Sequence, residues 1–113
     1  MIEKIIYDYL KTELNVPVYM EYPNKPEKTM VLVEKTGSGM NDGHVFSAMI
    51  AVQSYAPTLF KTAELNEIVK EKMLNSIDID KICRCEINSD YNYPDVERNL
   101  YRYQSVFDVT YLM

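Results

Sequence analysis

This 113-residue chain has one histidine and two cysteines, so the residue types most often used as a catalytic base or as an activated nucleophile are scarce in it. The only histidine, His44, follows Gly43 at the predicted start of a strand, and the sequence assigns it neither a nucleophile nor an orienting acid. A catalytic histidine needs such partners within hydrogen-bond reach. We therefore interpret His44 as a residue at the edge of a loop and predict no catalytic site.

The two cysteines, Cys83 and Cys85, are spaced so that both side chains would share one face of a strand. A structural zinc site takes four ligands, and the sequence offers no second Cys or His pair. Their separation along a strand also approaches the upper limit for a disulfide. We predict two reduced, structural cysteines, no metal site and an intracellular protein.

All three glycines fall between Thr36 and Gly43, in the pattern G-x-G-x-x-x-G. A dinucleotide-binding fingerprint opens a helix, and a P-loop continues into Gly-Lys-Ser or Gly-Lys-Thr, whereas this segment does neither. We interpret it as a flexible hairpin tip that orders against a partner. Gly37, Gly39 and Asp42 are therefore interface candidates, and no cofactor is predicted.

A third group of residues combines arginines and tyrosines near a second loop, residues 89–95. Such residues can stack nucleic-acid bases, but 17 acids against 12 bases give a formal net charge of −5, which suits phosphate backbones poorly. Tyr and Arg are also frequent at protein interfaces. We predict a charged interface cluster of Asp95, Arg98 and Arg102 with Tyr91 and Tyr93 as aromatic anchors. The alternative is an intramolecular cluster that fixes the loop before the last strand.

Hydrophobic periodicity places these residues on an α+β framework. Apolar residues from Ile2 to Leu14 recur at helical spacing, and a second helix starts at Pro57 and Thr58 and ends near Asn75. Strands are predicted at residues 17–21, 30–35, 44–56, 82–87 and 100–112. The order α-β-β-β-α-β-β predicts a single domain, residues 1–113, with two helices packed on one face of a mainly antiparallel sheet.

Two stripes of side chains are expected along these elements. Leu65, Ile68, Val69 and Met73 share the helical spacing of the second helix, and Tyr101, Tyr103, Phe107, Val109 and Tyr111 share one face of the last strand. No signal-peptide pattern opens the chain, and no apolar run approaches the ~20 residues of a membrane-spanning helix.

Seven segments carry a family resemblance: Val16–Tyr19, Tyr22–Pro26, Val31–Gly37, Ile50–Ala56, Ala63–Asn66, Asn88–Asp95 and Arg102–Asp108. In their order along essentially the whole chain, they resemble the tail terminator proteins of long-tailed bacteriophages and prophages, also called tail-completion or head–tail joining proteins.

The resemblance implies a structural, non-enzymatic protein of the virion. Members of that family form a ring, usually a hexamer, on the last layer of the tail tube, where the ring stops polymerisation and provides the surface for head–tail joining. The implied partners are further copies of the chain, the tail tube protein and a neck or head-completion protein. DNA would pass through the ring without specific binding, and no membrane is involved.

The expected locations are the host cytoplasm during assembly and the tail–neck junction of the virion. Two other functions stay open from the sequence. One is another phage neck or head-completion adaptor, and the other is a non-enzymatic intracellular protein-interaction domain.

Overall fold

Two helices and one five-stranded sheet form the fold in this computed structural model, which describes residues 1–112 apart from the side chains of residues 40–42. The sheet has the strand order β1-β2-β3-β5-β4, antiparallel throughout except for the parallel pair of β1 and β2. The predicted α+β class and element order are confirmed. The elements are α1 (Ile2–Glu13), β1 (Val18–Tyr19), β2 (Met30–Asp42), β3 (Val45–Tyr55), α2 (Leu59–Leu74), a 3-10 turn (Asn75–Asp78), β4 (Ile82–Asn92) and β5 (Arg102–Leu112).

Both helices pack on the same face of the sheet, as predicted, because each has one apolar stripe to bury. The shared core contains residues of α1 and α2 together with alternate residues of the central strands, among them Ile50 and Phe107, which are fully buried. The Tyr9 hydroxyl joins the helices by donating a hydrogen bond to the carbonyl oxygen of Lys72 at 2.7 Å. Burial raises the pKa of Tyr9, so the phenol stays protonated as that donor.

A polar contact fastens α2 to β4. The Asp90 carboxylate accepts hydrogen bonds from the Asn66 amide and from the Lys70 ammonium, each at 2.6 Å. Lys70 also pairs with Glu67 at 2.8 Å, and the hydrogen bonds from Lys70 to Asp90 and Glu67 raise its pKa. Asn66 is buried where an apolar residue would be expected on a helix stripe, and Ile68 of the predicted stripe is 43% exposed instead.

The opposite face of the sheet, which we call the bare face, has no helix of residues 1–112 packed across it. A small second cluster lies at one end of this face, where Met30, Leu32 and Tyr55 are buried with Tyr19 and Tyr22 packed against them. The bare face is therefore open along most of the sheet and closed only near the β1 end.

The glycine-rich segment was predicted as a long hairpin tip, and this prediction is wrong. β2 continues through it to Asp42, so Gly37 and Gly39 pair with Met49 and Ser47 of β3. The pairing with an 11-residue partner strand outweighs the low strand propensity of glycine, and two β-bulges absorb the irregularity. Only residues 43–44 remain as the turn, with Gly43 in the left-handed region at φ 55°.

The second predicted loop is also shorter than expected. β4 runs to Asn92 rather than ending at Ile87, because residues 89–92 pair with β5. The connection to β5 is then only residues 93–101, and β5 starts at Arg102 instead of Leu100. Tyr101 thus lies outside the strand and is half exposed rather than part of the core stripe.

The two cysteines do not share a buried face. The strand register shifts between Ile82 and Arg84, and this bulge leaves Cys83 exposed while Cys85 is buried. Both thiols are free, and burial is the main cause of a raised pKa for Cys85. β1 is limited to two residues of the predicted strand 17–21.

Candidate interface around Asp95

Asp95 lies in the β4–β5 connection, at the end of the sheet where β3 finishes. Reciprocal backbone hydrogen bonds of 3.0 Å join Asp95 to Leu100 and close a tight loop between them. Asn99 adopts a φ of 57°, a left-handed conformation that asparagine tolerates better than most residues. Backbone hydrogen bonds alone therefore close this loop, and the side-chain contacts are additional.

The Asp95 side chain is a buried carboxylate with three close donors. It accepts from the Tyr55 hydroxyl at 3.0 Å, from the Arg98 backbone N–H at 3.2 Å and from an Arg98 guanidinium nitrogen at 2.9 Å. A guanidinium nitrogen of Arg102 lies 3.9 Å from an oxygen of the same carboxylate. Burial alone would raise the pKa of Asp95, but the hydrogen bonds from Arg98 and Tyr55 and the charge of Arg102 outweigh it and lower the pKa.

The two arginines use their flat guanidinium groups to hold aromatic rings around this carboxylate. Arg98 lies 3.7 Å from the ring centroid of Tyr22, and Arg102 lies 4.1 Å from that of Tyr93. Arg102 also donates to the carbonyl oxygen of Tyr93 at 2.7 Å and to the Tyr55 hydroxyl at 3.2 Å. Each arginine therefore combines an ion pair with a cation–π contact, a geometry that lysine could not reproduce.

Tyr91 and Tyr93 extend the cluster along the edge strand. Their rings meet edge to face with centroids 5.8 Å apart, and both are about two-fifths exposed. The Tyr91 hydroxyl accepts from the amide of Gln104, whose own carbonyl accepts from Gln53 at 2.8 Å. A polar row thus crosses three strands of the bare face and ends at exposed aromatic rings.

The structure brings together five of the eight predicted interface residues: Tyr91, Tyr93, Asp95, Arg98 and Arg102. The contacts of Asp95 are those of the intramolecular alternative, and an interface at the exposed tyrosines stays a prediction. Gly37 and Gly39 lie elsewhere, on a shallow depression of about 510 Å³ on the bare face toward the hairpin turn. The side chain of Asp42 is outside the described residues.

Tyr55 and Tyr22 complete the cluster, although neither was among the predicted site residues. Their rings pack edge to face at 5.9 Å, yet they are more than 30 residues apart in the chain and about 40 and 70 residues from Asp95. One signal was available for Tyr55, since a tyrosine at the end of a buried strand needs a partner for its hydroxyl. Burial raises the pKa of Tyr55, which keeps that hydroxyl a donor.

The Asp95 cluster combines a buried ion pair with aromatic rings that are partly exposed. Among the side chains that the structure describes, no three His, Cys, Asp or Glu lie close enough to hold a metal ion. Neither described helix has the length and apolar character needed to cross a membrane. No protein-family model matches the chain, and no curated protein matches it either.

Proposed function

We propose that the chain is a structural, non-enzymatic tail terminator of a long-tailed phage or prophage, which closes a ring on the tail tube, stops its polymerisation and provides a head–tail joining surface. The observation that carries the proposal is a pair of open strand edges on opposite sides of one sheet. β4 is an edge strand along its whole length. β1 covers β2 only at Val31 and Leu32, which leaves the outer side of Val33–Asp42 without a strand among the described residues.

The two open edges fit each other in direction. Three antiparallel pairings separate β2 from β4, so these edge strands run in opposite directions. If copies follow one another around an axis along the strands, β4 of one copy meets β2 of the next in antiparallel orientation. Such a contact is heterologous, and it closes a ring when the rotation between copies is a whole fraction of a turn.

The irregularities of the two edges also lie at the same levels of the sheet. Register shifts follow Lys35 and Met40 in β2, and Ile82 and Ile87 in β4. The strand pairings show which shifts lie at the same level. The shifts after Lys35 and after Ile87 both lie at the level of Ile50 in β3, and those after Met40 and after Ile82 both lie at the level of Phe46. Copies at equal height would therefore meet bulge against bulge, with Gly37 opposite Glu86 of the neighbour.

A ring closed in this way has an inner and an outer side. The helices make each copy wider on their side of the sheet than on the bare face. Because the wider side of each copy lies on the outside of a closed ring, the bare face would point toward the ring axis. The described charges of that face, outside the Asp95 cluster, are Glu34, Glu86 and Asp108 against Arg84, or 1 − 3 = −2. An acidic lining of that kind would let a DNA duplex pass without binding it.

A charge placed at Gly37 tests the edge contact. A Cβ at Gly37 meets no atom within 4 Å and the residue has no positive φ, so Gly37→Glu and Gly37→Lys should both fold. Opposite Glu86, the glutamate should weaken each contact by about 0.2–1 kcal/mol, while the lysine should preserve or strengthen it. Native mass spectrometry and sedimentation velocity, in the presence of purified tail tube, would measure ring formation. Equal assembly of the two variants would refute the edge contact.

Removal of the gene from a producing phage tests the function itself. The expected phenotype is tails of uncontrolled length that fail to join heads, scored by electron microscopy and restored by the gene in trans. Normal virions would refute a role in tail completion. Tails of normal length that stay separate from heads, with binding to portal or head components only, would identify a neck or head-completion adaptor instead.

A further inference from the structure

A group of buried polar side chains, which we call the α2 seam, lies between the first half of α2 and the sheet. Among the side chains that the structure describes, five buried polar atoms have no hydrogen-bond partner, and three of them belong to the seam: the hydroxyl oxygens of Ser54 and Ser105 and the amide oxygen of Asn66. All three residues are at most 1% exposed. Buried polar groups are almost always paired with protein or with ordered water, so three unpaired atoms in one place indicate a bound ligand.

The strand register places the two serines on the helical face of the sheet, on neighbouring strands. Ser105 of β5 pairs with Val52 of β3, and Ser54 follows Val52 by two residues, so the two serines are diagonal neighbours on one face. Asp90 of β4 pairs with Ser105 from the other side. Because Val52 belongs to the core beneath the helices, both serines face the helical layer.

The first half of α2 crosses the sheet above these serines. The Thr62 hydroxyl lies 3.3 Å from the carbonyl oxygen of Ala56, just after the end of β3. One helical turn later, the Asn66 amide donates to Asp90 of β4. Since β5 lies between β3 and β4, this turn of α2 covers the two serines. Two of the three buried residues in this half of the helix, Thr62 and Asn66, are polar.

The Asp90 carboxylate determines which end of the Asn66 amide is left without a partner. A carboxylate only accepts hydrogen bonds, so Asn66 presents its NH₂ group to Asp90 and its oxygen remains unpaired. The seam therefore contains one acceptor and two hydroxyl groups, each of which can donate and accept. The Lys70 ammonium, 2.6 Å from Asp90, already balances the carboxylate charge, so the seam is suited to a neutral ligand.

The spacing of the serines suits a ligand of the size of one water molecule. Diagonal cross-strand neighbours have Cβ atoms about 7 Å apart, too far for their hydroxyls to bond directly at about 2.8 Å. Two hydrogen bonds of about 2.8 Å through one water span about 5–6 Å. Large side chains fill the same face at the neighbouring pair, Ile50 and Phe107, whereas serines occupy both diagonal positions and leave space.

We propose that the α2 seam binds an ordered water molecule, which donates to the Asn66 oxygen and to one serine hydroxyl and accepts from the other serine. Buried waters typically make about three hydrogen bonds, the number that these groups supply. The first half of α2 is then attached to the sheet largely through water, while Val69 and Met73 attach the second half through the apolar core. The site lies within one chain, so it does not depend on ring closure.

A crystal structure of the full chain at about 1.5 Å resolution tests the proposal directly. We expect a water oxygen within about 3.2 Å of at least two of the three unpaired atoms, in every copy of the chain in the crystal. Close packing without a water, or direct hydrogen bonds among Ser54, Ser105 and Asn66, would overturn the proposal.

Alanine variants give a second, independent measurement. Ser54→Ala and Ser105→Ala each remove a hydrogen bond to the shared water and should lower the Tm by about 3–8 °C. The double variant should lose less than the sum, because both residues act through one water. Ser38→Ala, at an exposed serine of β2, is the matched control and should change the Tm by less than about 2 °C.

A dry seam would give the opposite sign. Removal of an unpaired buried hydroxyl should then raise the Tm, since the cost of burying that group disappears. A rise for both single variants, or losses that add fully in the double variant, would therefore overturn the proposal.

Discussion

Replacement of Asp95 by alanine should destabilise the chain strongly, because the carboxylate is the acceptor on which three donors converge. Asp95 is 4% exposed. Its loss leaves the buried Tyr55 hydroxyl and the partly buried Arg98 backbone N–H without an acceptor. A buried donor without a partner costs about 1–3 kcal/mol, and water can reach the Arg98 amide, so we expect a total of about 2–4 kcal/mol.

The free energy of unfolding can be measured by urea denaturation, followed by far-UV circular dichroism and by tyrosine fluorescence, since the chain has ten tyrosines and no tryptophan. The expected loss corresponds to a fall in Tm of roughly 8–16 °C. Glu97→Ala is the matched control, because Glu97 is exposed in the same loop and should change stability by less than about 0.5 kcal/mol. A loss below about 1 kcal/mol for Asp95→Ala would refute the anchoring role of the carboxylate.

The pH dependence separates the charge of Asp95 from its shape. The pKa of Asp95 is lowered in the folded chain from its ordinary value of 3.8, so the folded state binds this proton less readily than the unfolded state does. The resulting stabilisation is complete above the unfolded pKa and is lost as the pH falls through the folded one. The stability difference between wild type and Asp95→Asn should therefore shrink below about pH 4. A difference that stays constant from pH 7 to pH 2.5 would contradict this account.

Three further predictions concern other residues. Tyr55→Phe removes a donor 3.0 Å from Asp95 and should cost about 1–2 kcal/mol in urea denaturation. Gly43→Ala should cost about 1–2 kcal/mol because of its positive φ, whereas Gly37→Ala, at an unstrained position with open space, should be neutral or slightly stabilising in the same assay. Cys83 should react with iodoacetamide in the native chain, while Cys85, which is buried and has a raised pKa, should be alkylated only after unfolding, as mass spectrometry of tryptic peptides would show. Equal labelling of both cysteines would contradict the bulge.

Helix periodicity and strand alternation were sufficient to predict the element order, because each pattern reports one buried face. The recurrence of apolar residues from Ile2 to Leu14 predicted α1. In β3, which was predicted as a strand, the alternate residues Ala48, Ile50 and Val52 are buried in the core with the helices. Such signals are local, and burial decides them residue by residue. The second helix was predicted to start at Pro57 and Thr58, and it begins at Leu59, two residues after the proline. Thr58 is its N-cap, because the Thr58 hydroxyl accepts a hydrogen bond from the Lys61 backbone N–H at 3.1 Å.

The errors have a common cause, which is that strand length depends on the partner strand. Gly37, Gly39 and Asp90 have low strand propensity, yet each is paired because its neighbour strand continues past it. The prediction of the Asp95 cluster was incomplete for a similar reason. Its predicted members Asp95, Arg98 and Arg102 are close in sequence. Tyr22 and Tyr55 are far away in sequence and contact them only in the folded chain. A local pattern contains no information on contacts of that sequence separation.

The open edges raise a question of specificity, because an unpaired strand is a template for unwanted association. Opposite charges on Arg84 and Glu86 form an ion pair along β4, and bulges interrupt both open edges, so neither is a flat and uniform template. The bulges that hinder indiscriminate pairing lie at matching levels on the two edges. A foreign strand whose bulges lie at other levels would leave hydrogen-bonding groups unpaired when it pairs with one of these edges. A second copy of the chain at equal height would not, because its bulges match. The features that protect the free chain would then also set the register of the ring.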